Sequence, residues 1–227
     1  MKETASNKTH RGHALIKVLA LTVLALLMSV SIAGAAPFAY ITYSGNTVDV
    51  IDTATNNVVH TVNLGIDTIL KDIAVSPDGK KVYVVSSRIS NNGTVYVIDT
   101  ATNTIISTLL VGTDPNEIAV NPDGTKVYMT NSNGNDNGTV SIIDTDTNNF
   151  ISIVEVGNAP LGIAVNPTGT EIYVANLGSN TTSVINTTTN KVTATVPVGS
   201  WPSGVAINSA GTRVYVASES ILGAVIK

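Results

Sequence analysis

Cysteine is absent from all 227 residues, so neither disulfides nor thiolate metal sites are open to this chain, and its fold rests on packing and strand pairing. Histidine is almost as scarce. His10 and His13 lie near the amino terminus, which leaves His60 alone in the body of the chain. Without a second histidine or any cysteine, copper and zinc sites built from imidazole and thiolate cannot be assembled. Charge is thin at 12%, and cations are the thinner half. Once Lys2, Lys8, Arg11, Lys17 and Glu3 of the first 35 residues are set aside, 8 basic side chains face 15 acidic ones, and the net charge falls from −4 to −7. No basic stripe remains to attract phosphates, and that attraction supplies most of the affinity in nucleic-acid binding, so a nucleic-acid partner is excluded. Neither a Gly-x-Ser-x-Gly elbow nor a phosphate-cradling loop occurs. No catalytic residue and no cofactor are therefore expected.

Long apolar runs are missing except near the start. There a cationic stretch through Lys17 precedes an apolar run from Val18 to Val30, followed by Ala33-Gly34-Ala35-Ala36 and Pro37. This is the grammar of a secretory signal peptide spanning residues 1–35. Cleavage after Ala35 satisfies the small-x-small rule, whereas cleavage after Ala36 leaves Pro37 at the first mature position, which signal peptidases disfavour. The alternative is an uncleaved membrane anchor, although the run falls short of the roughly 20 residues a spanning helix needs. Both readings export residues 36–227, and the membrane is touched only through this segment if it is retained.

What the chain does have is a phrase of about 45 residues, written repeatedly. Its copies read Asp72-Ile73-Ala74-Val75-Ser76-Pro77-Asp78-Gly79, Glu117-Ile118-Ala119-Val120-Asn121-Pro122-Asp123-Gly124, Gly162-Ile163-Ala164-Val165-Asn166-Pro167-Thr168-Gly169 and, more worn, Gly204-Val205-Ala206-Ile207-Asn208-Ser209-Ala210-Gly211. Each unit resolves into four short strands, because β-branched and apolar residues cluster between Gly, Pro, Asn and Asp. In the unit that begins at Glu117 the strands are expected at 118–120, 126–130, 139–144 and 150–157. Asn121-Pro122-Asp123-Gly124 turns the first into the second, with proline presetting φ and glycine accepting positive φ. A polar loop from Asn131 to Gly138 follows, and Thr145 to Asn149 forms a hairpin. The expected class is all-β: a β-propeller of four-stranded antiparallel blades, with about four to five blades present. Tyr40, Tyr83, Tyr128, Tyr173 and Tyr215 recur once per unit and are expected to pack between blades, with each hydroxyl satisfied at the sheet margin.

The second strands Tyr83-Val84-Val85-Ser86, Tyr128-Met129-Thr130-Asn131 and Tyr173-Val174-Ala175-Asn176, with Val-Ile-Asp-Thr at 97–100 and Val-Gly at 111–112, resemble the YVTN-type β-propeller repeats. Such repeats are abundant in surface-layer proteins of methane-producing archaea. The resemblance covers residues 39–217 and implies a fold more than an activity, since the same repeat class is similar to the scaffold of lactonases and of electron-transfer domains. Rings of that family commonly have seven blades, more than this chain supplies. Three accounts remain open: a truncated product, a small ring closed by pairing Val205-Ala206-Ile207 with the first blade, or an open arc completed by association.

Candidate sites are few. Asn133, Asn135, Asn137 and Asp144 imitate the spacing of a calcium loop, but Asn stands where Asp is usual, Asp where Glu is usual, and a strand follows instead of a helix. Asp52, Asp99 and Asp144 recur in phase, with Asn186 in the fourth copy; periodic placement points to the capping of turn amides. Trp201, the sole tryptophan, is a candidate to cap the channel, touch a carbohydrate, or simply pack. Asn92, Asn137, Asn180 and Asn186 each begin an Asn-x-Thr sequon and are expected in loops or hairpin ends, where glycosylation would meet no core. The function this supports is a non-enzymatic, secreted or cell-surface propeller acting as a structural or recognition module for proteins or glycans. Its partners would be envelope or surface-layer proteins, or further copies through open blades. An exported lactonase-like enzyme or ligand-binding subunit using the channel, and a truncated gene product, are the alternatives.

Overall fold

The computed structural model describes residues 38–43, 46–65, 68–88, 92–134, 137–219 and 224–226. The expected leader 1–35, with its cleavage point Ala35, and Asn135 lie outside them. The described residues are all-β, arranged as five antiparallel sheets. The first sheet holds β1 (Phe38–Tyr43), β2 (Thr47–Asp52) and β3 (Asn57–Asn63). The second holds β4 (Thr68–Val75), β5 (Lys81–Arg88), β6 (Asn92–Asp99) and β7 (Thr104–Thr113). The third is β8 (Pro115–Val120), β9 (Lys126–Asn131), β10 (Asn137–Asp144) and β11 (Asn149–Asn158). The fourth is β12 (Pro160–Val165), β13 (Glu171–Asn176), β14 (Thr181–Asn186) and β15 (Lys191–Pro197), and the fifth β16 (Pro202–Ile207), β17 (Val214–Ser218) and β18 (Ala224–Ile226). Within each sheet the strands lie side by side in chain order, which short hairpin connections dictate.

Two recurring turns set that order. Between the first and second strands of a unit, the amides of Gly79, Gly124, Gly169 and Gly211 donate to the carbonyls three residues earlier at 2.8–2.9 Å, with the glycines at φ 68–75°. A side chain is strained in that left-handed region, so glycine recurs there even where the proline does not. Between the third and fourth strands, Asn56, Asn103, Asn148 and Asn190 take φ 52–56°. Each hairpin carries a register shift at the matching place on its third strand, between Val50 and Ile51, Val97 and Ile98, Ile142 and Ile143, and Val184 and Ile185.

Strand alternation sends neighbouring side chains into different cores. On β5, Val82 and Val84 enter the cluster shared with the first sheet, while Tyr83 and Val85 enter the cluster shared with the third. On β9, Val127 and Met129 face back and Tyr128 faces forward. Four cores thus lie between five sheets, and the last, built on Ala175, Val214 and Val216, is the smallest. Sheets pack in succession, β1 on β4, β4 on β8, β8 on β12 and β12 on β16.

The small closed ring is not what the described residues show. Val205, Ala206 and Ile207 pair with Val216, Tyr215 and Val214 of β17, and among the described residues no strand pairing joins the fifth sheet to the first. The tyrosines pack between sheets as expected, Tyr83 and Tyr128 being fully buried. Their polar ends need a correction: the hydroxyls of Tyr40, Tyr83 and Tyr128 meet no hydrogen-bonding partner among the described residues. Only in the fourth copy does the expectation hold, where the Tyr173 hydroxyl donates to Glu171 Oε2 at 2.8 Å. In the fifth, Tyr215 is 43% exposed.

Candidate functional site

Polar side chains in this molecule are used first at the joints between sheets. The bulge between Leu70 and Asp72 on β4, and its counterpart between Pro115 and Ile118 on β8, turn an acidic side chain toward the following sheet. Asp72 Oδ2 accepts the Ile118 amide at 2.9 Å, and Glu117 Oε2 accepts the Ile163 amide at 3.2 Å. Burial, reinforced by the charge of Asp72, raises the Glu117 carboxyl above its ordinary value against the opposing bond from Ile163. The third member of this column is Gly162, where an added Cβ would stand 2.6 Å from the Ser203 carbonyl oxygen, so the fourth joint relies on backbone approach. A second joint sits at the opposite ends of these strands. Lys81 Nζ donates to the Thr145 carbonyl of the third sheet, and Lys126 Nζ to the Thr187 carbonyl of the fourth at 3.0 Å.

Around Lys81 the surface opens into a cleft of about 420 Å³ between the second and third sheets. Its wall includes Tyr83, Lys80, Asp78, Asp123 and Asp146, with the hydroxyl residues Thr125 and Thr145. Neighbouring units differ at the corresponding place: Asn121 Oδ1 lies 2.7 Å from where a Cβ on Gly169 would be, whereas at Gly124 the nearest atom is Pro77 Cδ at 3.6 Å and at Gly211 it is Pro167 Cδ at 3.3 Å. The aspartates are fixed by their own turns. Asp78 Oδ1 accepts from the Ser76 hydroxyl at 2.7 Å and the Lys80 amide at 3.1 Å, while its Oδ2 lies 3.3 Å from Lys80 Nζ. Asp123 Oδ1 accepts from Asn121 Nδ2 and from the Thr125 amide and hydroxyl. These bonds hold both carboxyls below the usual range, Asp78 chiefly through Ser76 and Asp123 chiefly through the Thr125 amide. Tyr83 is pushed up to about 12, first by burial and then by the charges of Asp78, Asp146 and Asp144, so it stays a neutral donor at any physiological pH.

The residues singled out in the sequence are spread apart. Asp144 ends β10, a strand that begins at Asn137, so about seven rises of 3.3 Å hold it some 23 Å from Asn137. Asn133 Nδ2 is spent on Thr139 Oγ1 at 3.1 Å, and Asp144 Oδ1 caps the Thr147 amide and hydroxyl at 2.8 Å. Asn133 and Asn137 are neighbours, with Asn133 Nδ2 3.4 Å from the Asn137 carbonyl, but Asp144 stands apart from them; among the described residues no group of three His, Asp or Glu is placed to hold a metal. Asp52, Asp99 and Asn186 cap their hairpins in the same way as Asp144.

Of the sequons, Asn180 lies exposed in the turn between β13 and β14, Asn92 and Asn137 open β6 and β10, and Asn186 ends β14 where its hairpin begins. Trp201 does not pack: it is 58% exposed, at φ 53°, with its amide donated to Asn180 Oδ1 at 2.9 Å. His60 lies exposed on β3, the outer strand of the first sheet. Sequence reasoning missed Asp72, Glu117, Lys81 and Tyr83 as a set. The available signal was the repeat column itself, in which Asp72, Glu117, Gly162 and Gly204 align without agreeing.

Comparison with known proteins adds two findings. The family model of the Choice-of-anchor I domain matches residues 30–157, more than half of the chain. Among solved structures, a chain of Kuenenia stuttgartiensis hydrazine synthase is similar at 22% identity and a TM-score of 0.72, over 84% of this chain and 68% of that one, a likeness of fold alone. No curated protein matches.

Proposed function

Since this chain belongs to the Choice-of-anchor I domain family, we propose that it is an exported β-propeller that works at the cell surface as a structural or recognition module. The family match carries this reading, because its name speaks of anchoring and its span begins inside the apolar leader and runs through the third sheet. The propeller arrangement is supported by five sheets, the middle three of which repeat both turns, that pack in succession through their first strands. A non-enzymatic role is supported by where the carboxylates go: the phased acids cap hairpins, and Asp72 and Glu117 bind amides of the next sheet. Partners are envelope or surface-layer proteins, or another copy of the chain. The outermost strands favour such contacts, presenting Val58, Ile106, Leu110 (71% exposed) and Ile153 to solvent.

The test is the fate of the native chain. Mass spectrometry of protein from fractionated cells is expected to find its first residue at Ala36, and protease added to intact cells is expected to degrade it. A chain that begins at Met1 and is protected until lysis would refute the proposal.

A further inference from the structure

We propose that the cleft between the second and third sheets is a binding site for a neutral sugar, with Tyr83 and Lys80 as donors and Asp123 and Asp146 as acceptors. This rests on the recognition reading above and gives that reading a location. The first observation is the cleft itself, whose wall brings Tyr83 and Lys80 of the second sheet together with Asp123 and Asp146 of the third. The second is the Tyr83 hydroxyl. It belongs to a fully buried side chain in the cleft wall and has no partner among the described residues. A buried donor left unmade is costly, and a ligand oxygen satisfies it. Tyr40 and Tyr128 share the orphan hydroxyl, so the repeat supplies it; Tyr83 adds a position beside the open space.

The class of ligand follows from the lining. A metal ion is disfavoured because Lys81 Nζ already occupies the Thr145 carbonyl and approaches Asn148 Oδ1 at 3.4 Å, which places an ammonium where a cation would sit. An anion meets Asp78, Asp123 and Asp146, and an apolar ligand would strand their charges. Sugar hydroxyls both accept and donate. They can take the Tyr83 and Lys80 protons while giving their own to Asp146, which is exposed, and to Asp123 Oδ2, whose sister oxygen carries the turn bonds. The cleft has room for one or two sugar rings, at the small end of ordinary ligand pockets.

Saturation-transfer NMR on the full chain, with D-glucose, D-galactose, D-mannose and N-acetylglucosamine as probes, tests this. At least one probe is expected to bind with a dissociation constant on the order of millimolar. Tyr83→Phe and Asp146→Ala are each expected to weaken that binding about three- to tenfold, the range of one hydrogen bond. The melting temperature of Tyr83→Phe is expected to equal or exceed that of the wild type, since an orphan polar group has gone. No binding by any of the four probes, binding that both variants leave unchanged, or a lower melting temperature for Tyr83→Phe would each overturn the proposal. Surface location is read separately by protease treatment of intact cells, so either conclusion can fall without the other.

Discussion

Gly138 and Pro160 offer the sharpest test of how the sheets are fastened. Gly138, near the start of β10, lies under the proline that opens β12 of the next sheet; an added Cβ would fall on Pro160 Cδ and Cγ and within 2.8 Å of the Gly157 carbonyl oxygen. Its backbone is not left-handed, so Gly138→Ala isolates the steric effect. Alanine in a strand is otherwise favoured over glycine by about 0.5–1 kcal/mol. Overpacking costs about 1–3 kcal/mol, and the upper end applies here because a ring tied to the backbone cannot rotate aside. The difference predicts a net loss of about 2 kcal/mol. For a chain of this size that corresponds to a melting temperature lower by about 4–8 °C in a calorimetric scan. Adding Pro160→Ala is expected to return about 1–2 kcal/mol of coupling energy in a double-mutant cycle. A Gly138→Ala chain that melts at or above the wild-type temperature, or a second substitution that restores nothing, would rule out this steric fastening.

Two further outcomes follow from buried polar groups. Because Glu117 titrates higher in the folded chain than in the unfolded one, its favourable contribution is present below the unfolded value, about pH 4.3, and is lost as pH rises through the folded one. Glu117→Gln keeps an oxygen for the Ile163 amide without the charge, so its urea midpoint should gain on the wild type between pH 4 and pH 7; a pH-independent difference would contradict this. Tyr128→Phe removes a fully buried hydroxyl that has no partner among the described residues and is expected to stabilise the chain by about 1 kcal/mol, read as a raised urea midpoint. A lowered midpoint would mean that the hydroxyl is held.

The strands are legible in the sequence because local chemistry dictates them. The expected strand at 126–130 is β9 (Lys126–Asn131), and that at 150–157 is β11 (Asn149–Asn158). The inner strand is expected only from Ile118, whereas β8 starts at Pro115, because the bulge between Pro115 and Ile118 breaks the apolar rhythm without ending the pairing. The polar loop expected up to Gly138 ends sooner, at Asn137, since pairing with Asn158 draws that residue into β10. The fate of the tyrosine hydroxyls is not legible. Tyr173 finds Glu171 two residues away on its own strand, but Tyr83 and Tyr128 have Lys81 and Lys126 there, whose ammonium groups reach across to the next sheet.

The joints are directional. A carboxylate or an ammonium on one sheet meets a backbone group on its successor, at Asp72 with Ile118, Glu117 with Ile163, Lys81 with Thr145 and Lys126 with Thr187. A gene segment duplicated in frame therefore inherits a plug and a socket together, and copy number can change during evolution without either half being reinvented. At Gly162 the plug is missing, and that joint holds instead by the close approach of the Ser203 backbone.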